Sequence, residues 1–208
     1  MDKLYKTGAV QQFAERILAL GCRLDDDGEI DVFLFGKNVH HPEPMTLANC
    51  HAYVTGLRSK HPLEGDTRYG RAMEAIRELY FSNAPPAGPS QVRKADVPTY
   101  VMFVTDGSTS NMGMTERQLR DSSHEPIFWQ FMGIGQGRKS KNKRLLAFAD
   151  SDFPFLEKLD ELSGRLIDNG NYFSVKRPDE YSDDALYELL MAEYPEWVKQ
   201  ARALGMFR

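Results

Sequence analysis

The sequence predicts an α/β fold with a mainly parallel sheet flanked by helices, and three observations point to it. Residues 100–104 and 126–133 are largely apolar runs of strand length, which are typical of parallel strands buried on both faces. Residues 69–80 repeat apolar side chains at helical spacing. Strands that alternate with helices in this way favour a parallel sheet with crossover connections.

The other elements are predicted from the same spacing patterns. In chain order, helices are predicted over 8–21, 46–60, 69–80, from Thr115 to about 123, and over 153–163, with strands over 30–35, 99–105, 126–133 and 171–175 and an exposed loop over 82–97. Thr115 and Gln118 have capping-box spacing, which sets the start of the fourth helix. Pro195 is expected to break the carboxyl-terminal helical region into two segments. In the second helix, four apolar side chains are expected to face inward: Leu47, Tyr53, Val54 and Leu57.

Length and composition are those of one globular domain. The chain has 208 residues, of which 41% are hydrophobic and 27% charged. A net charge of −4 argues against nucleic-acid binding, which usually leaves a basic footprint. No apolar run approaches the ~20 residues that span a bilayer, and the amino terminus lacks the apolar region of a signal peptide. Cys22 and Cys50 make no disulfide framework, so a cytoplasmic location is expected.

The clearest candidate site is the carboxylate of Asp106, which follows the first apolar run almost directly. Open α/β sheets bind ligands at the carboxyl ends of their strands, and a carboxylate there suits a hard cation. Residues 106–110 spell Asp-x-Ser-x-Ser, the first motif of a metal-ion-dependent adhesion site for Mg²⁺ or Mn²⁺. That site also needs a threonine from a later loop, and none occurs after Thr115. The alternative is that Asp-Gly only makes a turn.

A second assignment of the motifs places Thr67 and Asp106 in one site. Thr67 lies in a loop that opens a periodic helix, and Asp106 follows the next strand, so they would supply the second and third motifs. The first motif would then have to precede the first helix. Asp66, Ser108 and Ser110 are expected to support this site or to contact a partner.

Nine segments spread over nearly the whole chain resemble one family, the von Willebrand factor A-type domain of tellurium-resistance proteins. They are Tyr5-x-x-Gly8-x-Val10-Gln11, residues 24–31, residues 46–49, Gly65-x-Thr67-x-Tyr69, and residues 103–107, 126–131, 159–160, 168–169 and Pro195-x-Trp197. The resemblance implies a Rossmann-like sheet, a divalent metal site, and a role in resistance to tellurium or chemical stress.

The sequence departs from the family's pattern at its amino end. In that family the first strand ends in Asp-x-Ser-Gly-Ser-Met, and Met1 aligns with that final methionine. The domain is therefore expected to occupy residues 1–208 and to lack its first, central strand with an Asp and two Ser ligands. The strands at 30–35 and 100–105 would then either pair directly or receive a segment of another chain. Mg²⁺ or Mn²⁺ binding would be weakened to the millimolar range or lost, because Mg²⁺ prefers six oxygens.

Three other patterns carry less information. Gly133, Gly135 and Gly137 resemble part of a dinucleotide fingerprint, but Arg138 stands where a glycine belongs, so a flexible exit from a strand is expected. The zinc-ligand types among residues 40–51 match no standard spacing; they are His40, His41, Cys50 and His51. The basic stretch over 137–144 could attract an anionic partner, although a solvated loop is expected.

Together these features predict a non-enzymatic protein-interaction module linked to tellurium or chemical-stress resistance. Its binding face would comprise Thr67, Asp106 and the loops at 36–46 and 107–113, and would dock a protein partner through an acidic residue. The alternative is an enzyme that uses the same crevice for metal-dependent chemistry on phosphate or nucleotides. A homo-oligomer or an exchange of strands is left open.

Overall fold

The computed structural model describes residues 2–24, 27–81, 91–135 and 151–208, and it confirms the α/β fold. Three parallel strands form a sheet in the order β5-β6-β7, with helices on both faces. The strands are β1 (Glu29–Ile30), β2 (Leu34–Phe35), β3 (Val39–His40), β4 (Met45–Thr46), β5 (Thr99–Thr105), β6 (Ile127–Ile134) and β7 (Gly170–Val175). The helices are α1 (Asp2–Lys6), α2 (Ala9–Leu24), α3 (Tyr53–Lys60), α4 (Tyr69–Phe81), α5 (Met112–Ser122), α6 (Pro154–Asp160), α7 (Asp183–Leu190) and α8 (Tyr194–Ala203).

Strand β6 lies at the centre of the sheet, and every one of its residues is buried. Successive side chains of a strand point to opposite faces, so β6 contributes to two core layers. Trp129 and Phe131 face the layer that α4, α5 and α6 cover, whereas Met132 and Ile134 face α2 and α7. The continuous apolar run seen in the sequence is the consequence of this double cover.

The segment before α3 differs from the prediction. The expected strand at 30–35 is present as two short pieces, each paired antiparallel, β1 with β4 and β2 with β3. The predicted helix over 46–60 begins only at Tyr53, after a 3₁₀ turn. Asn49 holds this turn because its side chain accepts from the Thr46 N–H at 2.8 Å and donates to the Pro44 carbonyl at 3.0 Å. Leu47, expected to face inward, is 65% exposed.

Two predicted helix boundaries are also wrong. Helix α5 begins at Met112 rather than Thr115, whose hydroxyl donates to the Asn111 carbonyl one turn back. The carboxyl-terminal break lies between Leu190 and Tyr194, so Pro195 stands in the first turn of α8, where its missing N–H costs no hydrogen bond. The basic stretch over 137–144 and most of the loop at 82–97 lie outside the described residues.

The predicted direct pairing of the strands at 30–35 and 100–105 is wrong for the residues that the structure describes. β5 pairs with β6 alone, and β1 and β2 pair only with β4 and β3. The other expectation, that a segment of another chain enters between them, stays a prediction, as does the missing first strand. Across the described ranges, no helix has the length and apolar character needed to cross a membrane.

Candidate functional site

The candidate site lies at the carboxyl end of β5, where the loop over 106–111 meets the segment that enters α4. The Ser110 N–H donates to the Thr67 carbonyl at 3.0 Å, and the Thr109 hydroxyl lies 3.0 Å from the same oxygen. The two segments that carry Thr67 and Asp106 therefore meet at the same end of the sheet. We refer to residues 66–68 and 106–110 as the rim.

Tyr69 anchors the rim from below. Its ring is fully buried and makes edge contacts with Phe35 and Phe103. Its hydroxyl donates to the Gly107 carbonyl and lies 2.9 Å from the Thr105 hydroxyl, which is then left to donate to it. Burial raises the pKa of Tyr69 to about 12, so the phenol keeps its proton and remains a donor. The backbone after β5 is thus tied to α4.

Thr109 and Asn111 join the starts of α4 and α5. The Thr109 hydroxyl accepts from the Tyr69 N–H at 3.1 Å, and the Asn111 side-chain oxygen accepts from the Gly70 N–H at 3.2 Å. These bonds satisfy two of the amides that a helix leaves without intrahelical partners at its first turn. The contact is close, because a Cβ at Gly70 would lie 2.8 Å from the Thr115 backbone nitrogen.

The predicted rim residues differ in exposure and in partners. Asp106, Ser108 and Ser110 are exposed, whereas Asp66 and Thr67 are half-buried.

The Asp66 carboxylate binds donors of its own segment. It accepts from the Thr67 N–H at 2.8 Å and from Arg68 Nε at 2.7 Å. The Ser110 hydroxyl, followed by Arg68, lowers the pKa of Asp66, so this group stays ionised.

The rim offers few oxygen ligands to a divalent cation. One Asp66 oxygen already accepts from Arg68 and the other from the Thr67 amide. The Thr67 hydroxyl and the Asp106 carboxylate supply fewer than the six oxygen ligands that Mg²⁺ prefers. Within the described residues, no three His, Cys, Asp or Glu side chains are grouped to hold a metal ion. The residues present do not by themselves make a strong metal centre.

The glycines of the dinucleotide-like pattern have a packing role where the structure describes them. Gly133 and Gly135 lie under the Phe153 ring, and a Cβ on Gly133 would come within 2.7 Å of it. Gly133 and Gly135 therefore provide room for packing, and Gly137, the third glycine of the expected flexible strand exit, lies outside the described residues.

The possible zinc ligands lie beside different partners. His40 is near Glu64, His41 near Asp31 and His51 near Glu15, whereas Cys50 is buried against Leu18 and Met45. The described residues do not gather these four side chains at one point.

Sequence reasoning missed the residues that hold the rim in place, namely Tyr69, Thr105, Thr109 and Asn111. Each lies within or next to a recognised segment, and each is of a type that commonly serves packing or turns. Their partners are about forty positions away in the chain. Only the hydroxyl-rich composition of residues 105–111 hinted at such a network.

Comparisons with known proteins agree with this architecture. A family model described as the vWA domain found in the C terminus of TerF, the vWA-TerF-like family, matches residues 1–207. The uncharacterized protein YcbR of Bacillus subtilis (strain 168) is 33% identical over 215 residues, an alignment that covers 100% of this chain and 76% of that protein.

Proposed function

Because this chain belongs to the vWA-TerF-like family, we propose that it is a protein-interaction module without catalytic activity, which binds a protein partner at the rim. The observation that supports this most directly is the contrast between an exposed loop and its buried anchor. Asp106, Ser108 and Ser110 face solvent, while Tyr69 and Thr109 beneath them are buried and hydrogen-bonded to the loop or to Thr67. A loop held in this way loses little conformational entropy when it binds.

The rim presents hydrogen-bond donors, together with the Asp106 carboxylate as an acceptor, to a partner. The Ser108 hydroxyl can donate to a carboxylate, and the Arg68 guanidinium, which binds Asp66 through Nε alone, has further N–H groups at the same rim. An acidic side chain of the partner would therefore meet donors here, and hydrogen bonds to an ionised acceptor are stronger than neutral ones. Asp106 would accept from a donor on the same partner.

Metal binding plays a minor part in this proposal. We expect Mg²⁺ or Mn²⁺ to bind this chain with a millimolar dissociation constant or not at all, because Thr67 and Asp106 offer too few oxygens. Isothermal titration of the chain with MgCl₂ measures this directly. A micromolar constant would show that the rim forms a metal site that these residues do not explain.

The biological setting follows from the family's name alone. A module related to that of TerF fits resistance to tellurium compounds or to chemical stress, and the partner would belong to the same response. A strain that lacks this chain would then be more sensitive to tellurite, and a copy with Asp106→Ala would fail to restore resistance.

The test of the interaction compares two aspartate variants. Tagged wild-type chain and Asp106→Ala are used to capture partners from cells exposed to tellurite, and Asp121→Ala serves as control because Asp121 is exposed near the far end of α5. We expect a specific partner to be retained by the wild type and the control, and lost with Asp106→Ala.

A turnover assay in the same preparations tests the alternative, a metal-dependent enzyme that acts on phosphate or nucleotides. Metal-dependent release of phosphate from nucleotides by the wild type, lost with Asp106→Ala, would replace the interaction module by an enzyme. Equal capture by all three chains would place the binding surface elsewhere.

A further inference from the structure

A groove begins at the rim and runs along α4, between that helix and the tip of the β2–β3 hairpin. Its volume is about 430 Å³, and its lining includes Arg68, Arg71 and Ala75 on one side and Lys37 and Val39 on the other. Arg68 also belongs to the rim, so the rim and this space form one continuous surface. We call the space the α4 groove.

Hydrogen bonds hold the two walls of the α4 groove in place. The Gly36 carbonyl accepts from the Arg68 N–H at 3.2 Å, and the Glu64 carboxylate accepts from the Asn38 N–H and the Asn38 side-chain amide at 2.6 and 2.8 Å. The approach is close, because a Cβ on Gly36 would lie 2.9 Å from the Glu64 Cβ. The hairpin tip is therefore fixed against the start of α4, and little conformational entropy is lost when a partner binds there.

The charges that line the α4 groove are ordered along its length. On α4 the lining residues follow the i, i+3, i+4, i+7 spacing of one helix face: Arg71, Glu74, Ala75 and Glu78. Arg68 and Lys37 add positive charge at the rim end, whereas the two glutamates lie farther along the helix. The dipole of α4, positive at its first turn, has the same polarity.

These charges can be reached by a partner. Arg68 uses only its Nε for the ion pair within the rim. The Arg71–Glu74 pair, 2.9 Å long, lies at the surface, where such pairs contribute little, so either member can exchange it for a partner's charge. Lys37 and Glu78 are exposed, and the described part of the chain offers neither of them an ion pair.

From this order of charges we propose that the α4 groove binds a short segment of the partner protein in which an acidic and a basic residue stand about 10 Å apart. This inference rests on the proposed function, since the acidic residue is the one that meets the donors of the rim. The basic residue would pair with Glu78. The spacing follows from α4, because seven residues separate Arg71 from Glu78 and a helix rises ~1.5 Å per residue. A segment of one charge would meet like charges at one end of the groove.

Capped synthetic peptides test the α4 groove without the unidentified partner. The probe has two aspartates and two lysines separated by two alanines, which places the inner pair about 10 Å apart in an extended chain. One control peptide has glutamines for the lysines, and the other has asparagines for the aspartates. The full chain is labelled with ¹⁵N, and the amide shifts of Val39 and Ala75 report binding.

Two glutamate variants of the chain accompany the peptides. Glu78→Gln removes the charge assigned to the basic residue. Glu188→Gln is the matched control, because Glu188 is exposed on α7, which packs against the other face of the sheet.

We expect the probe to shift both amides in the wild type and in Glu188→Gln. Loss of the probe's lysines, or of the Glu78 charge, should each weaken binding about two- to fivefold. Both losses together should weaken it little further, because they remove the same ion pair. The inference is wrong if the amides do not respond, if either control peptide binds as tightly as the probe, or if the two losses add. Shifts that appear without peptide, as the chain is concentrated, would assign the groove to a second copy instead.

The groove and the rim can fail separately in these experiments. Peptide-induced shifts confined to residues 107–110 would refute the α4 groove and leave partner binding at the rim intact. Shifts at Val39 and Ala75, combined with partner capture that does not depend on Asp106, would refute binding at the rim while the charge pairing in the groove stands.

Discussion

The hydroxyl of Tyr69 is a single group that ties the rim to the buried core. It bonds to the backbone after β5 while its ring fills the core beside Phe103. The same side chain therefore connects the packing of the sheet to the position of Asp106. Replacing it by phenylalanine separates these two contributions.

We expect Tyr69→Phe to lower the free energy of unfolding by about 1–3 kcal/mol, because the half-buried Gly107 carbonyl and the buried Thr105 hydroxyl lose a partner. Urea unfolding followed by fluorescence measures this change. Tyr194→Phe is the matched control, because the Tyr194 ring packs on Trp197 and its hydroxyl has no recorded hydrogen bond among the described residues. Equal losses for the two variants would mean that the hydroxyl does not anchor the rim.

A second prediction at this scale concerns the proton of Asp160. Burial raises its pKa to about 7, and the nearby Glu193 and Asp168 carboxylates add to this, while the Tyr172 N–H and Arg165 oppose it. Because the folded pKa lies above the ordinary one, the contribution of Asp160 to stability is present at acid pH. It is lost as the pH rises from about 4 towards neutrality.

The variant Asp160→Asn should remove this pH dependence, since a neutral amide keeps an oxygen for the Tyr172 N–H. Unfolding free energies measured between pH 4 and 8 should fall more steeply for the wild type than for the variant. Asp121→Asn, at an exposed position, should follow the wild type. Parallel curves for Asp160→Asn and the wild type would show that Asp160 titrates normally.

At the scale of elements, the sequence predicted what local pattern determines and missed what distant partners determine. β5, β6 and α4 have long apolar patterns, so their existence followed from spacing alone. The start of α5 did not, because Asn111 is held by Gly70 and Thr109 rather than by a local capping box.

The rim shows the same division. Asp106 was predicted at the carboxyl end of a strand and Thr67 in the loop that opens the helix before it, and the motif assignment placed the two in one site. The residues that fix them were not predicted, because their bonds cross from α4 to the loop after β5. The exposure of Leu47 has a similar origin, since the Asn49 side chain turns the chain just after it.

The packing of β6 against the segment that leads into α6 gives a further prediction. A methyl group at Gly133 would come within 2.7 Å of the Phe153 ring, whereas one at Gly56 in α3 would have no atom within 4 Å. We expect Gly133→Ala to destabilise the fold by about 1–3 kcal/mol. Gly56→Ala should be neutral or stabilise it by up to about 1 kcal/mol. If Gly133→Ala is as benign as Gly56→Ala, the glycine serves something other than packing.

At the scale of the whole molecule, the two ends of the sheet differ in exposure and in the contacts that they make. The rim occupies the carboxyl end of β5, while a buried ionic cluster holds the opposite end together. There the Arg77 guanidinium binds both oxygens of Glu125, at 2.7 and 2.8 Å, and donates to Gln118. This cluster connects the last turns of α4 and α5 to the chain that enters β6.

Stability and partner binding should therefore be separable. The side chain of Glu125 is only 4% exposed, so Arg77→Met would leave a buried carboxylate without its main partner, at a cost of about 3–5 kcal/mol. Arg77→Lys, which keeps the charge but not the two-point contact, should lose less. Asp106→Ala should do the reverse and abolish partner capture with little change in stability, because Asp106 is exposed. Chemical unfolding and capture measured on the same three variants test this division. It would be contradicted if folded Arg77→Met failed to capture the partner, or if Asp106→Ala unfolded as readily as Arg77→Met.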